Sequence, residues 1–501
     1  MDDAKKVMQD IRAAQADRKN HAPWMNEIIQ LGLPTYRQVD VSRDAADRAD
    51  DQDDLFDNEL QVTLEDFSSD MISTFTPRYE RWVSMSSAMQ LSEGEQAQIA
   101  DQVQEIEDMI FAELEKSNYW EAAQECFQFW GVSSMGVAIS DMGPLNPIHF
   151  QPIEISDLLM RRGPDGSLYG KWREMRMTAT DLYAMWPKTF PLPPESQRKK
   201  IHAVVEGCDR DISMPGEERW VYRIFVDGKQ KLIEPYEGQG SCPIVACRFR
   251  HQADSAWGPG PAHKAVPAAR ALDQLAYLNL KALGKNIDPA ISYEEDGVAN
   301  FEGGIQDGTA YPRASGTSSP ERIYEEISFN AAFFEMDDLR KRIKRALYQD
   351  RPEQPGQTPP TATQWTDEKA WNTRRRELPR DRCVREWVVP IIDRVAWIMK
   401  QRGKLPELKL KSGELISLRP ISPMSKAKDM EDLSITNQVL AMATNVGAAA
   451  QSGVPVDVRA TVERMRATAK ERHLIMKTAE QIQQEALAQA AAAAGMQDVG
   501  A

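Results

Sequence analysis

The chain has 501 residues, 42% of them hydrophobic and 27% charged, with a formal net charge of −15. That length exceeds one ordinary hydrophobic core, so two or more structural regions are expected. The acidic balance argues against a protein that grips nucleic acid over its whole surface, because phosphate contacts call for a cationic surplus.

An acidic wall repels phosphate and suits a conduit better than a clamp. The five cysteines, Cys126, Cys208, Cys242, Cys247 and Cys383, make no disulfide framework and point to reduced, cytosolic assembly. The opening, Met1 to Lys6, is polar and lacks a signal-type apolar run. No stretch of about 18 apolar residues occurs, so no membrane span is expected.

In chain order, the first part reads as helical. Around residues 40–59 it turns acidic, with Asp44, Asp47, Asp50, Asp51, Asp53 and Asp54, which reads as a solvated loop or helix face. Apolar residues recur at helical spacing from Leu60 to Phe75. Ser92 and Glu95 form a capping-box pattern ahead of Ile99, Val103, Ile106, Ile110 and Leu114, one apolar helix face. Trp120 to Trp130 continues helical and aromatic, and core packing explains its aromatics better than a cofactor box does. Residues 132–176 and 219–250 then alternate in short runs with turn signals at Gly163-Pro164-Asp165-Gly166 and Asp227-Gly228, which predicts strands and hairpins.

Trp257-Gly258-Pro259-Gly260-Pro261 punctuates the chain. A helix is expected over roughly Ala262 to Lys285, stopping at Asp288-Pro289 because the residue before proline avoids the helical region. Residues 290–330 are Gly-rich and strand-like. A second helix, from near Ala331 to about Gln349, carries Arg340, Lys341, Arg342, Lys344 and Arg345. Residues 351–360 hold too many prolines for regular structure and form a loop. The longest helical pattern runs from Thr363 to about Gln401, with Val384, Trp387, Val388, Ile391, Ile392, Val395, Ile398 and Met399 on one face. Straight, it would span roughly 60 Å; Pro379 and Pro390 predict kinks or a break, and Gly403 a C-terminal cap. A strand pair is expected at Glu407–Leu410 and Glu414–Leu418. Residues 425–501 read as helical, fading into a disordered tail.

No enzyme motif is present. None of the Gly-Lys pairs is followed by Ser or Thr, so there is no P-loop. There is no nucleophile elbow and no zinc-protease helix. Cys242, Cys247 and His251 lack the spacing of common zinc sites, and a structural role is the plainer reading. No catalytic residue, metal or cofactor is expected.

Several segments, taken together and in order, resemble the head-to-tail connecting (portal) proteins of podovirus-type phages. They are Asp57 to Val83 with Thr63, Asp66, Thr76-Pro77 and Trp82; Ser117-Asn118-Tyr119-Trp120 followed by Phe129-Trp130-Gly131; Trp257 to Pro261 before a helix ending at Asp288-Pro289; and Thr361-Ala362-Thr363 before a long helix and Gly403-Lys404-Leu405-Pro406. The likeness spans about Trp24 to Gln484. The sequence departs from the family pattern at Gln364-Trp365, and residues 290–330 do not align by residue type.

The resemblance implies an α+β, mainly helical subunit of a dodecameric ring with a central channel. Residues 1–257 would be the wing, 258–285 the first stem helix, 286–330 the clip and 331–350 the second stem helix. Residues 351–362 would be the tunnel loop, 363–420 a long wing helix with short strands, and 421–501 a helical crown with its tail. It implies a portal at a unique capsid vertex of the virion, assembled in the host cytoplasm, for genome packaging and ejection. The implied partners are further copies of the chain, the major capsid protein, the terminase motor, the tail adaptor, internal core or ejection proteins, and double-stranded DNA passing through.

In the loop, Gln354, Gln357 and Thr358 could touch a sliding backbone without strong charge binding. Arg351, with Arg374, Arg375 and Arg376, could face DNA or a neighbouring subunit. Arg340, Lys341, Arg342, Lys344 and Arg345 occupy nearly successive positions and so surround their helix; salt bridges between subunits and contact with DNA both fit them. Two other classes stand beside the portal reading: a different virion ring or scaffold-type protein, and a packaging nuclease or ATPase.

Overall fold

The structure is a computed structural model. It describes residues 2–40, 55–79, 81–87, 93–213, 218–250, 252, 254–294, 307–313, 321–322, 330–350, 379, 381–406 and 418–421. The chain divides into two units, Met1–Pro420 and Ile421–Ala501. Only Ile421 of the second unit is among the described residues, so the expected helical crown lies outside them.

The order opens with α1 (Asp2–Gly32), α2 (Glu59–Phe75), β1 (Ser84–Ser87), α3 (Glu93–Lys116) and α4 (Tyr119–Val132). Ser92, half of the expected capping box, lies outside the described residues, as do 41–54 of the acidic stretch. Of the expected α3 face, Ile106, Ile110 and Leu114 are buried and Val103 packs against them. Helix α4 buries most of its residues: Tyr119, Ala122, Ala123, Cys126, Phe127, Phe129 and Trp130 are all buried, leaving Glu121 and Gln124 on its exposed side. Full burial of each large side chain contributes roughly 1.5–3 kcal/mol, so this short helix anchors the layer despite its length. Gly131 lets it approach α2, since a Cβ there would sit 2.6 Å from Leu64.

Next come β2 (Ser134–Ser140), β3 (His149–Ile153), β4 (Leu158–Arg162), β5 (Leu168–Thr178), α5 (Ala179–Met185), β6 (Ile201–Arg210), β7 (Arg219–Val226), β8 (Lys229–Glu237) and β9 (Ile244–Arg248). Strands β3-β2-β9 form an antiparallel sheet inside the main core, beneath α4, with α2 packed on α4. Strands β4 to β8 form a five-stranded antiparallel meander. Side chains alternate between its faces. Leu159, Trp172 and Phe225 meet Val7, Ile11 and Ala14 of α1 on one side. Val204, Cys208, Trp220, Tyr222, Ile224 and Val226 meet Leu182 and Cys242 on the other.

Strand β6 and the capped helix α5 were not expected from the sequence. Helix α5 starts at a capping box in which Thr178 and Asp181 exchange hydrogen bonds. Strand β6 hides its period because it buries charge. Glu206 accepts from Arg173 and from the Tyr222 hydroxyl at 2.8 Å, and Asp209 pairs with Arg223.

The remaining elements are α6 (Val266–Ile287), β10 (Ile291–Glu294), β11 (Ala310–Arg313), β12 (Glu321–Arg322), α7 (Asn330–Ala346), α8 (Val389–Gln401) and β13 (Leu418–Ile421). Helix α6 begins later than expected, because Pro261–Lys264 turns as a 3-10 helix. It ends as expected, capped at Asp288 before Pro289.

The long helix expected from Thr363 carries an irregularity where Pro390 predicts one. Residues 363–378 lie outside the described residues, and the rest is no uniform helix: Val384–Val388 is a π-turn, with Val389 N–H donating to Val384 O. Pro390 explains it. Proline has no N–H to give to the carbonyl four residues back, and its ring clashes there, so the preceding turn widens. The apolar face stands, with Val384, Trp387, Val388, Ile391, Ile392, Val395, Ile398 and Met399 all buried. Gly403, at φ +67, donates to Lys400 O and Lys404 donates to Met399 O, which is the Schellman geometry of a glycine C-cap. Of the strand pair expected at 407–418, all but Leu418 lies outside the described residues.

Candidate functional site

The exposed apolar surface gathers on the α6–α7 helix pair. The first half of α6 is held in the core by Val266, Ala269, Leu272 and Ala276. The same stripe runs on beyond the core as Leu280, Leu283 and Ile287, all exposed. Helix α7 buries Met336, Leu339 and Ile343 against the main core. Between the two helices lies a groove of about 340 Å³, lined by Ala276, Asn279, Leu280, Leu283, Phe333 and Met336 among others. Asn279 spans it, its amide donating to Met336 Sδ at 3.0 Å. On a helix of 100° per residue, Leu278 and Phe334 fall about half a turn from these inner stripes. They are 55% and 77% exposed. The pair is therefore apolar toward its groove, and on its outer side Leu278 and Phe334 stand among charged and polar neighbours.

Between the helices, β10 pairs with β11 in parallel and with β12 in antiparallel register, a small sheet projecting from the helix ends. Gly308, at φ +73, donates to Asp288 O and closes the sheet onto the end of α6.

The basic residues of α7 are engaged within the chain. Arg340 pairs with Asp57 at 3.1 Å and Glu59 at 3.6 Å, and Lys344 with Glu59 at 3.2 Å. Arg342 pairs with Asp338 at 2.6 Å, one turn back. Lys341 and Arg345 also have partners. Asp57 and Glu59 sit at the start of α2, where the helix dipole favours acids. The same corner is tied to α6, since Asp273 accepts the backbone N–H groups of Phe56 and Asp57. Arg340 and Lys344 thus lock α7 onto the α2 corner, a use of cations the sequence could not show. Arg351, Gln354, Gln357, Thr358, Arg374, Arg375 and Arg376 lie outside the described residues.

Two joints that the sequence did not single out position the rest. The segment ending β8 reaches α8: Trp397 donates to Glu237 O at 3.1 Å, Arg394 to Ser241 O at 2.6 Å, and Gln239 to Asp393 at 3.0 Å. Burial pushes the Arg394 guanidinium down from its ordinary range. At the end of α8, Arg402 bridges Glu113 of α3 and Asp141 beyond β2. Burial works against the Asp141 carboxylate, but the Arg402 guanidinium holds it below its usual range.

Among the described residues, no group of three or more His, Cys, Asp or Glu could hold a metal ion. His251, of the candidate Cys242–Cys247–His251 set, lies outside them. No described helix is long and apolar enough to cross a membrane.

The family model for bacteriophage head to tail connecting protein matches residues 4–470. No curated protein matches the chain. Among solved structures, a chain from the neck of an empty GTA particle computed with C6 symmetry is 13% identical. It covers 83% of this chain and 94% of that chain, with a TM-score of 0.35. A chain from the virion of a native gene transfer agent particle is 14% identical, covers 82% and 90%, and has a TM-score of 0.26. The chain belongs to the bacteriophage head to tail connecting protein family, a structural and non-catalytic family of the virion.

Proposed function

We propose that this member of the head to tail connecting family is the portal vertex subunit of a short-tailed phage. Further copies close with it into a dodecameric ring, and DNA enters and leaves through the centre. The observation that carries this reading is the α6–α7 pair, whose exposed apolar side chains line its groove and, at Leu278 and Phe334, stand on its opposite side as well. A single partner would cover one flank of such a pair. In a closed ring of head-to-tail contacts every copy has two neighbours, so both flanks are covered.

Residues 258–285 and 331–350 are then the two stem helices, and 286–330, with its small sheet, the clip. The clip meets the terminase motor during packaging and the tail adaptor afterwards. Residues 1–257 and 363–420 form the wing and 421–501 the crown, which meets internal core or ejection proteins; the major capsid protein surrounds the ring at one vertex. The net charge of −15 supports a wall that lets DNA slide. The engaged state of Arg340, Arg342 and Lys344 supports a role in holding subunit structure over a role in gripping DNA.

Residues 351–362 are the tunnel loop, with Arg351, Gln354, Gln357 and Thr358 toward DNA. Deleting residues 354–358 tests this. The expected outcome is rings that assemble but particles that fail to fill or to retain DNA. Deletion particles that fill and infect normally would refute the loop assignment.

A further inference from the structure

One end of the five-stranded sheet carries a cavity that the portal reading does not use. Helix α5 and the loop that follows it, 186–200, stand there against the ends of β6, β7 and β8. Between them lies a space of about 310 Å³, floored by Leu182, Phe190, Pro191, Pro193 and Val226. That volume is at the small end of the range for ligand sites, about 300–1,000 Å³, and suits a side chain better than a stacked base pair.

The loop is held at its ends. Ala179 N–H donates to Lys200 O at 3.0 Å and the Thr180 hydroxyl to Arg198 O at 3.1 Å. Trp186 and Phe190 pack onto the sheet. Between these points Pro191, Pro193 and Pro194 restrict the backbone, and Pro194 holds φ −61 and ψ 153, the polyproline geometry. A wall of this kind loses little conformational freedom when something docks on it.

The rim is cationic, on a chain of net charge −15. Lys229 and Lys231 line the cavity from β8, and Lys188, Lys199 and Lys200 stand on the loop. All five are exposed, and none makes an ion pair among the described residues. The nearby acids are already engaged. Asp181 belongs to the α5 capping box and Glu195 pairs with Arg198 at 3.6 Å. Asp227 meets His202 at 2.7 Å and accepts from Ala203 N–H at 3.1 Å. Met185, Leu192 and Ile201, between α5 and the start of β6, add exposed apolar surface. Apolar surface rimmed by one sign of charge marks an interaction site.

Edge protection explains part of this. Strand β8 is an edge of the sheet, and lysines with Pro235 on an edge discourage pairing with another strand. It explains neither the apolar cavity nor the three lysines of the loop.

We propose that this cavity is a docking site for an acidic segment of another protein. One bulky apolar side chain of that segment enters the cavity, and flanking carboxylates meet the lysines. Charge complementarity selects an acid. The apolar floor selects a polypeptide over a nucleic-acid backbone, whose phosphates would leave that floor uncovered.

The test uses the purified full chain and fluorescent probes. One is a peptide with Leu-Phe between two runs of glutamate, the second has Ser-Ser in place of Leu-Phe, and the third is a DNA duplex. Anisotropy should show the first peptide binding tighter than the second by about tenfold or more, the effect of burying one large apolar side chain. Its affinity should fall as salt rises. Lys229→Glu with Lys231→Glu should lose the binding at an unchanged thermal midpoint, and Lys400→Glu, at an exposed position of α8, should keep it. Lysine acetylation read by mass spectrometry should show the bound peptide shielding Lys229 and Lys231 and leaving Lys400 open. Equal binding of the two peptides, or none, would overturn the proposal, as would shielding spread evenly over the surface. DNA that shields the same lysines and binds more tightly than the first peptide would replace it with a nucleic-acid contact. None of these readouts depends on ring assembly or on the portal reading.

Discussion

The Arg402 guanidinium donates to Glu113 Oε1 at 2.9 Å while the two side chains are 2% and 7% exposed. This pair fastens the end of α8 to α3, and Asp141 and the Asn146 carbonyl complete the guanidinium's partners. Removing one member of a buried pair leaves an uncompensated charge and costs about 3–5 kcal/mol. Arg402→Met should therefore lose stability of that order in denaturant unfolding. Lys404, 3.7 Å from the same Glu113 but 41% exposed, is a control: Lys404→Ala should change little, since exposed pairs contribute about 0–1 kcal/mol. Equal effects would refute the distinction.

Gly240 lies at φ +74, and a Cβ there would come within 2.2 Å of the Asp393 carbonyl oxygen. The backbone strain of a non-glycine residue at such a φ costs about 1–3 kcal/mol. The clash adds to it, because the obstacle is helix backbone. Gly240→Ala should lower the unfolding midpoint. Gly228, also at positive φ but with nothing within 4 Å of its Cβ position, should tolerate alanine better. The reverse order would contradict the close approach.

Glu125 is half-buried next to the Tyr36 hydroxyl and the Glu154 carboxylate. Burial, then repulsion from Glu154, raises its pKa above the ordinary carboxylate value. A carboxyl raised in the folded state gives stability that is complete below the ordinary value of about 4.3 and is lost as pH rises through the folded value. Glu125→Gln keeps an acceptor for Tyr36 and removes the charge. The variant should match the unaltered chain in acid and exceed it in stability at neutral pH. A variant that is less stable at neutral pH would reverse the assignment.

Leu280 and Leu283 continue the α6 stripe beyond the core into solvent. Leu280→Asp with Leu283→Asp should leave the fold and its thermal midpoint close to those of the single chain, because neither residue is buried in it. It should abolish the ring, because in the ring both would meet a neighbour. Rings that assemble normally would remove this surface from the interface.

Much of the scaffold could be read from local patterns. The aromatic run of α4, the stop at Asp288-Pro289, the Gly403 cap and the apolar face of α8 each follow from spacing or from a residue with one backbone preference. Two of the segments that carried the family resemblance are joints of the core. Asn118 exchanges two hydrogen bonds with the Phe150 backbone, at 2.9 and 2.7 Å, as a further strand would. Gly260 lets its segment donate to Val132 O at 2.8 Å, where a Cβ would strike Gly131 O at 2.3 Å.

What escaped the sequence depended on partners distant in the chain. Strand β6 carries Glu206 and Asp209 inward, and only the arginines of β5 and β7 make that tolerable. The basic residues of α7 gave no sign that Asp57 and Glu59 would neutralise two of them. The irregularity at Pro390 was legible, but not its form as a π-turn over Val384–Val388. The residues assigned to the tunnel loop lie outside those described, so their role rests on the resemblance alone.

The central claim is that this chain closes into a ring around a channel, and electron microscopy of the purified full-length protein tests it most directly, with native mass measured on the same sample. The account predicts closed dodecameric rings with a central opening wide enough for duplex DNA. A compact dimer, or a closed assembly without a central opening, would contradict it.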